Sequence, residues 1–170
     1  MTTSRRIAVD DPRNPDVREL LEQHLTFAFG QTPPEHSFAL DADKLLDPAI
    51  TLFSFREDGA LLGVGALKQL EPWHGEIKSM HTAKAARGRG VGRAMLTHLL
   101  DVAAARGLHR VSLETGTMTA FAAARALYAS AGFEPCGPFG DYLPSDDNCF
   151  MTLKIMHGRR PVVGHSPSRT

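Results

Sequence analysis

The sequence predicts one α/β domain with a mixed sheet of six or seven strands flanked by about four helices. A hairpin signal is the first support for this fold class. Two β-rich runs, residues 50–56 and 60–68, are joined by Asp58-Gly59, a pair that tolerates the positive φ angles of tight turns. Residues 76–82 form a third β-rich run after a short loop. We therefore expect three consecutive antiparallel strands.

A strand-helix-strand unit is the second support. Apolar residues recur at helical spacing at Val91, Met95, Leu99 and Val102, which predicts a helix that buries one face. Residues 109–115 then alternate apolar and polar side chains, as a strand does. A strand, a helix and another strand in succession predict a parallel neighbour reached by a right-handed crossover.

The remaining elements follow from start and stop signals. Asn14-Pro15-Asp16 is a typical helix opening with Asn14 as the capping side chain, and this helix ends at Gly30. Gly63 and Gly65 interrupt a strand, which indicates packing space for a helix. The other predicted elements are a strand at 5–10, a short helix at 41–46, a helix at 121–131 and strands at 133–137 and 148–155.

Length and charge restrict the function. A chain of 170 residues is one domain by size, and we place it at 1–156 with a disordered tail at 157–170. The 19 basic residues equal the 19 acidic ones, so no overall field attracts nucleic acid or a membrane. The sequence lacks a membrane-length apolar run and a secretory signal pattern, which predicts a cytoplasmic protein. Cys136 and Cys149 are expected to be reduced.

A glycine-rich turn precedes the helix at Val91. It reads Arg87-Gly88-Arg89-Gly90-Val91-Gly92, with Arg93 one residue further on. A helix N-terminus exposes unpaired N–H groups and a partial positive charge, and glycine lets a ligand approach the backbone. We therefore expect a diphosphate to bind here.

The spacing of two motifs indicates which diphosphate-containing ligand is expected at this turn. The turn lacks the Lys-Ser/Thr of a P-loop and the third glycine of a dinucleotide fingerprint. Its pattern, Arg-x-x-Gly-x-Gly, resembles motif A of the GNAT superfamily of N-acetyltransferases. A helix ending in Leu127-Tyr128, followed by Gly132-Phe133, resembles motif B of the same superfamily. Many members have an asparagine where Phe121 stands, so one contact to the cofactor is in doubt.

The resemblance implies an acetyl-CoA site without a metal. In GNAT enzymes the sheet splays open after the motif A strand, and acetyl-CoA lies in the gap. By this resemblance Met80 and Thr82 offer backbone groups to the pantetheine arm and the acetyl carbonyl. The residues predicted to bind the cofactor are Met80, His81, Thr82, Arg87, Gly88, Arg89, Gly90, Val91, Gly92, Arg93 and Tyr128.

The resemblance also implies a mechanism of direct attack by an amine in a ternary complex. Tyr128 occupies the position of a tyrosine that protonates the leaving thiolate. Glu76 and Glu114 are equal candidates for the base, with His81 as a third. Glu76 is expected on the same strand face as Met80. The alternative function is a non-catalytic sensor that binds acyl-CoA.

The acceptor is expected to be a small amine or an amino-acid-like molecule. Lys78 and Arg110 are expected to be surface charges or partner charges. The strand at 149–155 is a candidate for pairing across a homodimer. Residues expected near the acceptor are His24, Glu35, His36, Glu71, Asp141, Asp146 and Asp147.

Overall fold

A computed structural model describes residues 2–157, which form one seven-stranded sheet and three α-helices. The strands are β1 (Arg5–Val9), β2 (Ile50–Glu57), β3 (Ala60–Glu71), β4 (His74–Thr82), β5 (Arg110–Gly116), β6 (Glu134–Cys136) and β7 (Asn148–Lys154). The helices are α1 (Pro15–Gln31), α2 (Val91–Ala105) and α3 (Ala122–Ser130). The order of strands in the sheet is β1-β2-β3-β4-β5-β7-β6. The predicted α/β class and strand number are confirmed.

The hairpin and the crossover form as the sequence predicts. Strands β2 and β3 pair antiparallel around Asp58 (φ 49°) and Gly59 (φ 85°), and β3 pairs antiparallel with β4. Strand β5 is parallel to β4, and α2 makes the connection between them. Positive φ at Gly107 ends α2, and positive φ at Gly132 follows α3.

Helices cover both faces of the sheet. On one face α1 buries Val17, Leu20 and Leu21 against the β2 and β3 strands. On the other face α2 and α3 pack over a larger cluster that includes Met95 and Leu99. Gly63 and Gly65 face α2 closely, because a Cβ on Gly65 would lie 2.7 Å from Met95 Cγ. The prediction that these glycines make packing space is confirmed.

Three local expectations are wrong. Asn14 does not cap α1 with its side chain, which instead donates a hydrogen bond to Asp10 Oδ1 at 2.6 Å. The short helix expected at 41–46 is a 3-10 turn, Lys44–Leu46. Strand β7 is not free to pair across a dimer, because β5 occupies one side of it and β6 occupies the centre of the other.

The two cysteines are free, as expected. None of the described helices combines the length and the apolar character that a membrane crossing requires. The predicted tail lies beyond the described residues except for His157, whose ring nitrogen bonds the Leu108 carbonyl at 2.7 Å.

Candidate active site

The sheet opens between β4 and β5, and a cavity of about 720 Å³ lies at this opening. The two strands pair only from His74–Arg110 to Ile77–Leu113, so the rest of β4 has no partner on that side within the described residues. The predicted splay is therefore present. Helices α1 and α3 and the first turn of α2 supply the other walls of the cavity.

The glycine turn forms the cationic end of the cavity. Gly88 (φ 75°) and Gly90 (φ 77°) adopt left-handed conformations, and a Cβ on either would meet nothing within 4 Å. No side chain caps the first turn of α2. The N–H groups of this turn are thus available to an anionic ligand, and the helix dipole favours negative charge at the same place.

The arginines around this turn do not all face the cavity. Arg87 and Arg93 line it. Arg89 does not; its guanidinium pairs with Glu57 at 2.6 Å on the outside of the turn. The expectation that the Arg89 side chain contributes to cofactor binding is not supported by this position.

A β-bulge in β4 changes which side chains share a face. Ser79 has φ 53°, and the register with β3 shifts at this point. As a result Met80 packs against the α2 cluster, whereas Lys78 stands opposite Ala66 on the face covered by α1. Glu76 lies on the same face as Lys78, two residues away along the strand. The expectation that Glu76 and Met80 share a face is wrong.

Glu76 is buried in the cavity wall with two partners. Only 2% of the residue is exposed. Tyr142 donates a hydrogen bond to Glu76 Oε2 at 2.6 Å, and Lys78 Nζ lies 3.4 Å from the same oxygen. Lys78 Nζ also donates to the Tyr142 hydroxyl at 2.8 Å. The side chain of Lys78 is 9% exposed, so of the two expectations for Lys78 the structure contradicts the surface charge and agrees with a partner charge, here of Glu76.

Tyr142 is held as a hydrogen-bond donor at this site. Burial, followed by the neighbouring Glu76 carboxylate, raises the pKa of Tyr142 far above its ordinary value. Its ring packs edge-on against Phe38, with centroids 4.9 Å apart. Sequence reasoning did not single out Tyr142, because a tyrosine in a loop has no local pattern that reveals its partner 66 residues away.

Glu114 lies on β5 beyond the last residue paired with β4, and it lines the same cavity. Asn148 donates a hydrogen bond to Glu114 Oε1 at 2.6 Å and another to the His36 carbonyl at 2.9 Å. Burial raises the pKa of Glu114, although Asn148 and Lys78 oppose the rise. No cation forms an ion pair with Glu114 among the described residues. It is thus a half-buried carboxylate, and its second oxygen makes no hydrogen bond within residues 2–157.

The Tyr128 hydroxyl has no hydrogen-bond partner in the described part of the protein. The residue is 8% exposed and lines the cavity from α3. Burial, with a smaller effect of Glu114, raises the pKa of Tyr128 to about 12. The hydroxyl therefore stays protonated at neutral pH, and the described part of the chain offers it no acceptor.

Two histidines meet on the α1 side of the cavity. His24 Nδ1 and His81 Nδ1 lie 3.2 Å apart, so one ring donates and the other accepts. Burial lowers the pKa of His24 to about 4. Burial and the Arg87 charge lower the pKa of His81 as well. Both rings are therefore neutral at pH 7.

The acceptor end of the cavity differs from the sequence expectation. His24 and His36 line the cavity as expected, but Glu35 and the loop acids do not. Phe121 packs against Phe27, with ring centroids 5.2 Å apart, where many GNAT members have asparagine. The expected residues absent from the lining are Glu35, Glu71, Asp141, Asp146 and Asp147.

The remaining predicted site residues meet around this cavity. No group of three or more His, Cys, Asp or Glu side chains within 2–157 is placed to hold a metal ion. The predicted site residues that line the cavity are Glu76, Met80, His81, Thr82, Arg87, Gly88, Gly90, Val91, Gly92, Arg93, Glu114 and Tyr128.

Comparison with known proteins shows the family to which this chain belongs. A model of the acetyltransferase (GNAT) family matches residues 14–133. The chain belongs to the GNAT family. It is 45% identical over 149 residues to the uncharacterized N-acetyltransferase YedL of Escherichia coli, covering 88% of this chain and 94% of YedL. It is 36% identical over 146 residues to the IAA acetyltransferase of Azospirillum brasilense, covering 85% and 94% of the two chains.

A solved structure agrees on the fold. A GNAT family acetyltransferase from Elizabethkingia anophelis, with acetyl-CoA bound, superposes with a TM-score of 0.66 at 16% identity. The match covers 88% of this chain and 97% of that one. The predicted GNAT fold and the N-acetyltransferase activity are thus confirmed. No finding favours the sensor alternative.

Proposed function

We propose that this GNAT protein transfers the acetyl group of acetyl-CoA to a small primary amine by direct attack in a ternary complex. The observation that carries the proposal is one cavity lined both by the glycine turn and by the carboxylates of Glu76 and Glu114. A donor and an acceptor can therefore meet without leaving the protein. Cys136 and Cys149 do not line this cavity, which argues against an acetyl-cysteine intermediate.

The donor is bound mainly by main-chain groups. The diphosphate of CoA lies against the first-turn N–H groups of α2, with Arg87 and Arg93 beside it. The pantetheine arm extends along the part of β4 that has lost its β5 partner and pairs with it as an added strand. The Met80 N–H donates to the acetyl oxygen as negative charge develops on it.

Glu114 is the base in this proposal. The acceptor enters as an ammonium ion, gives a proton to Glu114 and attacks the thioester carbon with the freed lone pair. Glu114 suits this role because its carboxylate has an unused oxygen and a raised pKa. Glu76 suits it less well, because its carboxylate is already engaged by Lys78 and Tyr142. The His81 ring is engaged by His24.

Tyr128 is the acid. When the tetrahedral intermediate collapses, the C–S bond breaks and the thiolate receives the Tyr128 proton. The attacking nitrogen passes its second proton to the Tyr128 phenolate, which leaves the neutral amide, and Glu114 releases its proton to solvent. The unpartnered hydroxyl of Tyr128 supports this role, because it is free to bond the sulfur. Its raised pKa keeps the proton in place until the thiolate forms.

The acceptor is small because its end of the cavity is covered. The segment with His36 and Phe38 meets the loop that carries Tyr142, through the 4.9 Å ring contact of Phe38 and Tyr142 and through the His36–Asp147 contact at 2.6 Å. Phe27 and Phe121 add apolar surface to the lining. These walls favour a compact amine with an apolar body over a peptide.

The test is a panel of primary amines and amino-terminal peptides, with CoA release as the readout. We expect small amines to accelerate CoA release and peptides to have no effect. Glu114→Gln should lower kcat by roughly 10²- to 10⁴-fold while acetyl-CoA affinity, measured by calorimetry, is retained. Asp141→Asn is the control, since Asp141 does not line the cavity. Turnover with peptides alone, or full activity of Glu114→Gln, would contradict the proposal.

A further inference from the structure

The acceptor end of the cavity contains a buried ammonium that the proposed reaction does not use. Lys78 Nζ lies between Glu76 Oε2 at 3.4 Å and the Tyr142 hydroxyl at 2.8 Å. The Lys78 and Glu76 side chains are 9% and 3% exposed. A lysine and a glutamate buried together form a neutral pair, because either charge alone would be strongly unfavourable in this position.

The neutral pair leaves one carboxylate unbalanced. Glu114 has a hydrogen bond from Asn148 but no ion-pair partner among residues 2–157. Burial lowers the pKa of both His24 and His81, so both rings are neutral at pH 7. His36 is paired with Asp147 at 2.6 Å. Apart from the arginines of the glycine turn, the ionised groups that line the cavity are therefore Glu76, Lys78 and Glu114.

We propose that Lys78 determines acceptor specificity: by cancelling the charge of Glu76, it limits the acceptor end to one net negative charge and selects amines that carry one positive charge. The inference rests on the proposed function and names the charge class of its acceptor. Lys78 is a specificity-determining residue here, not a catalytic one.

The energy of burying net charge supports this selection. A monoamine that enters as an ammonium ion brings the acceptor end to zero net charge. An α,ω-diamine would leave one positive charge in excess, and an ω-amino acid would leave the negative charge of Glu114 uncompensated. In either case an unbalanced charge must be buried, and its desolvation costs free energy that a neutral combination does not lose.

The probes are three acceptors of equal chain length: hexylamine, the corresponding α,ω-diamine and the corresponding ω-amino acid. For the wild-type enzyme we expect kcat/KM for the monoamine to exceed kcat/KM for the other two by at least about tenfold, because like and unlike charges at a half-buried site differ by more than one decade in affinity. Acetyl-CoA is kept saturating, so the ratio reports on the acceptor end alone.

A series of variants changes only the net charge of the acceptor end. Lys78→Met adds one net negative charge, so the ratio of diamine to monoamine kcat/KM should rise at least tenfold. Glu76→Gln removes one negative charge, so KM for the monoamine should rise while acetyl-CoA affinity stays constant. The double variant Lys78→Met/Glu76→Gln restores the wild-type net charge, so it should restore the wild-type preference for the monoamine. A merely structural role of Lys78 would not produce this pattern.

The outcomes separate the two proposals. Unchanged acceptor ratios in Lys78→Met and Glu76→Gln, with turnover retained, would overturn the role of Lys78 alone. A wild-type preference for the diamine or the amino acid would also overturn it. Turnover of none of the three probes and of no other amine would overturn the proposed function and this inference with it. If Lys78→Met melts below the assay temperature because Glu76 is left unpaired, Glu76→Gln and the double variant decide the question.

Discussion

The donor and acceptor ends of the cavity are built in different ways. At the donor end, one continuous stretch from Arg87 to Arg93 supplies main-chain amides and two guanidinium groups. At the acceptor end, side chains from distant parts of the chain meet: Tyr142 bonds Glu76 across 66 positions, and Asn148 bonds Glu114 across 34. The donor end depends on backbone conformation, and the acceptor end depends on which side chains are present.

This difference separates what the family shares from what one enzyme selects. Main-chain amides are present whatever the side chains are, so a glycine turn can hold the same cofactor in many sequences. A buried set of carboxylates and ammonium groups changes its net charge with a single substitution. Changes of acceptor are therefore expected through the β4 and β5 side chains, with the α2 turn left unaltered.

The largest effect, a fall in kcat, is expected for Tyr128→Phe, at the junction of the two ends. The hydroxyl has no hydrogen-bond partner among residues 2–157, so its removal leaves no described group unpaired, and the unfolding free energy should not fall. The kcat should fall roughly 10²- to 10⁴-fold, because the thiolate loses its proton donor. Stopped-flow detection of CoA release measures this.

Tyr142→Phe is the control for that experiment. It removes the hydroxyl that bonds both Glu76 and Lys78, so it should lower the unfolding free energy by about 1–3 kcal/mol. Wild-type kcat in Tyr128→Phe would show that Tyr128 only packs at this position.

An intermediate effect, on acetyl-CoA binding, is expected at the donor end. Arg87→Ala and Arg89→Ala are a variant and its matched control. Arg87→Ala should weaken acetyl-CoA binding by about 10- to 100-fold, since a hydrogen bond to a charged group contributes roughly 1.5–3 kcal/mol. Arg89→Ala should change it little, because that side chain pairs with Glu57 outside the cavity. Calorimetric titration with acetyl-CoA compares the two, and equal losses would place the Arg89 guanidinium on the ligand.

The smallest effect is a gain in stability for Glu114→Gln. Burial raises the pKa of Glu114 in the folded protein above the value of 4.5 that applies when it is exposed. The ionised form is thus unfavourable in the fold, and stability is lost as pH rises through the folded pKa. Glu114→Gln should melt above the wild type at pH 7, by about 2–4 °C for each kcal/mol.

The pH dependence provides the internal control for Glu114. Below the ordinary glutamate pKa of 4.5 the wild-type carboxyl is protonated in both states, so the two melting temperatures should converge. A constant difference across this range would mean that the gain does not come from the charge of Glu114.

The sequence predicted the donor end well because its signals are local. The glycine turn and the helix that follows it are formed by residues that are close in the chain. The hairpin at Asp58-Gly59 is of the same kind. Such features are encoded by local conformational preferences, and a single sequence displays them.

The acceptor end was predicted poorly because its contacts are long-range. Lys78 is in a strand with charged neighbours, and nothing in that pattern shows that Tyr142 covers it. The bulge at Ser79 has no sequence signal either, so simple alternation placed Glu76 on the face of Met80. The loop acids were plausible by position, yet the cavity is closed by aromatic side chains instead.

The close contact between the sheet and α2 has one further consequence. A Cβ on Gly63 would lie 2.8 Å from Val91 Cγ1, and Val91 is the first residue of that helix. Larger residues in this strand would push the start of α2 away from the sheet and change the distance between the glycine turn and β4. Gly63, which also lines the cavity, and Gly65 thereby set how closely α2 approaches the sheet beside the opening.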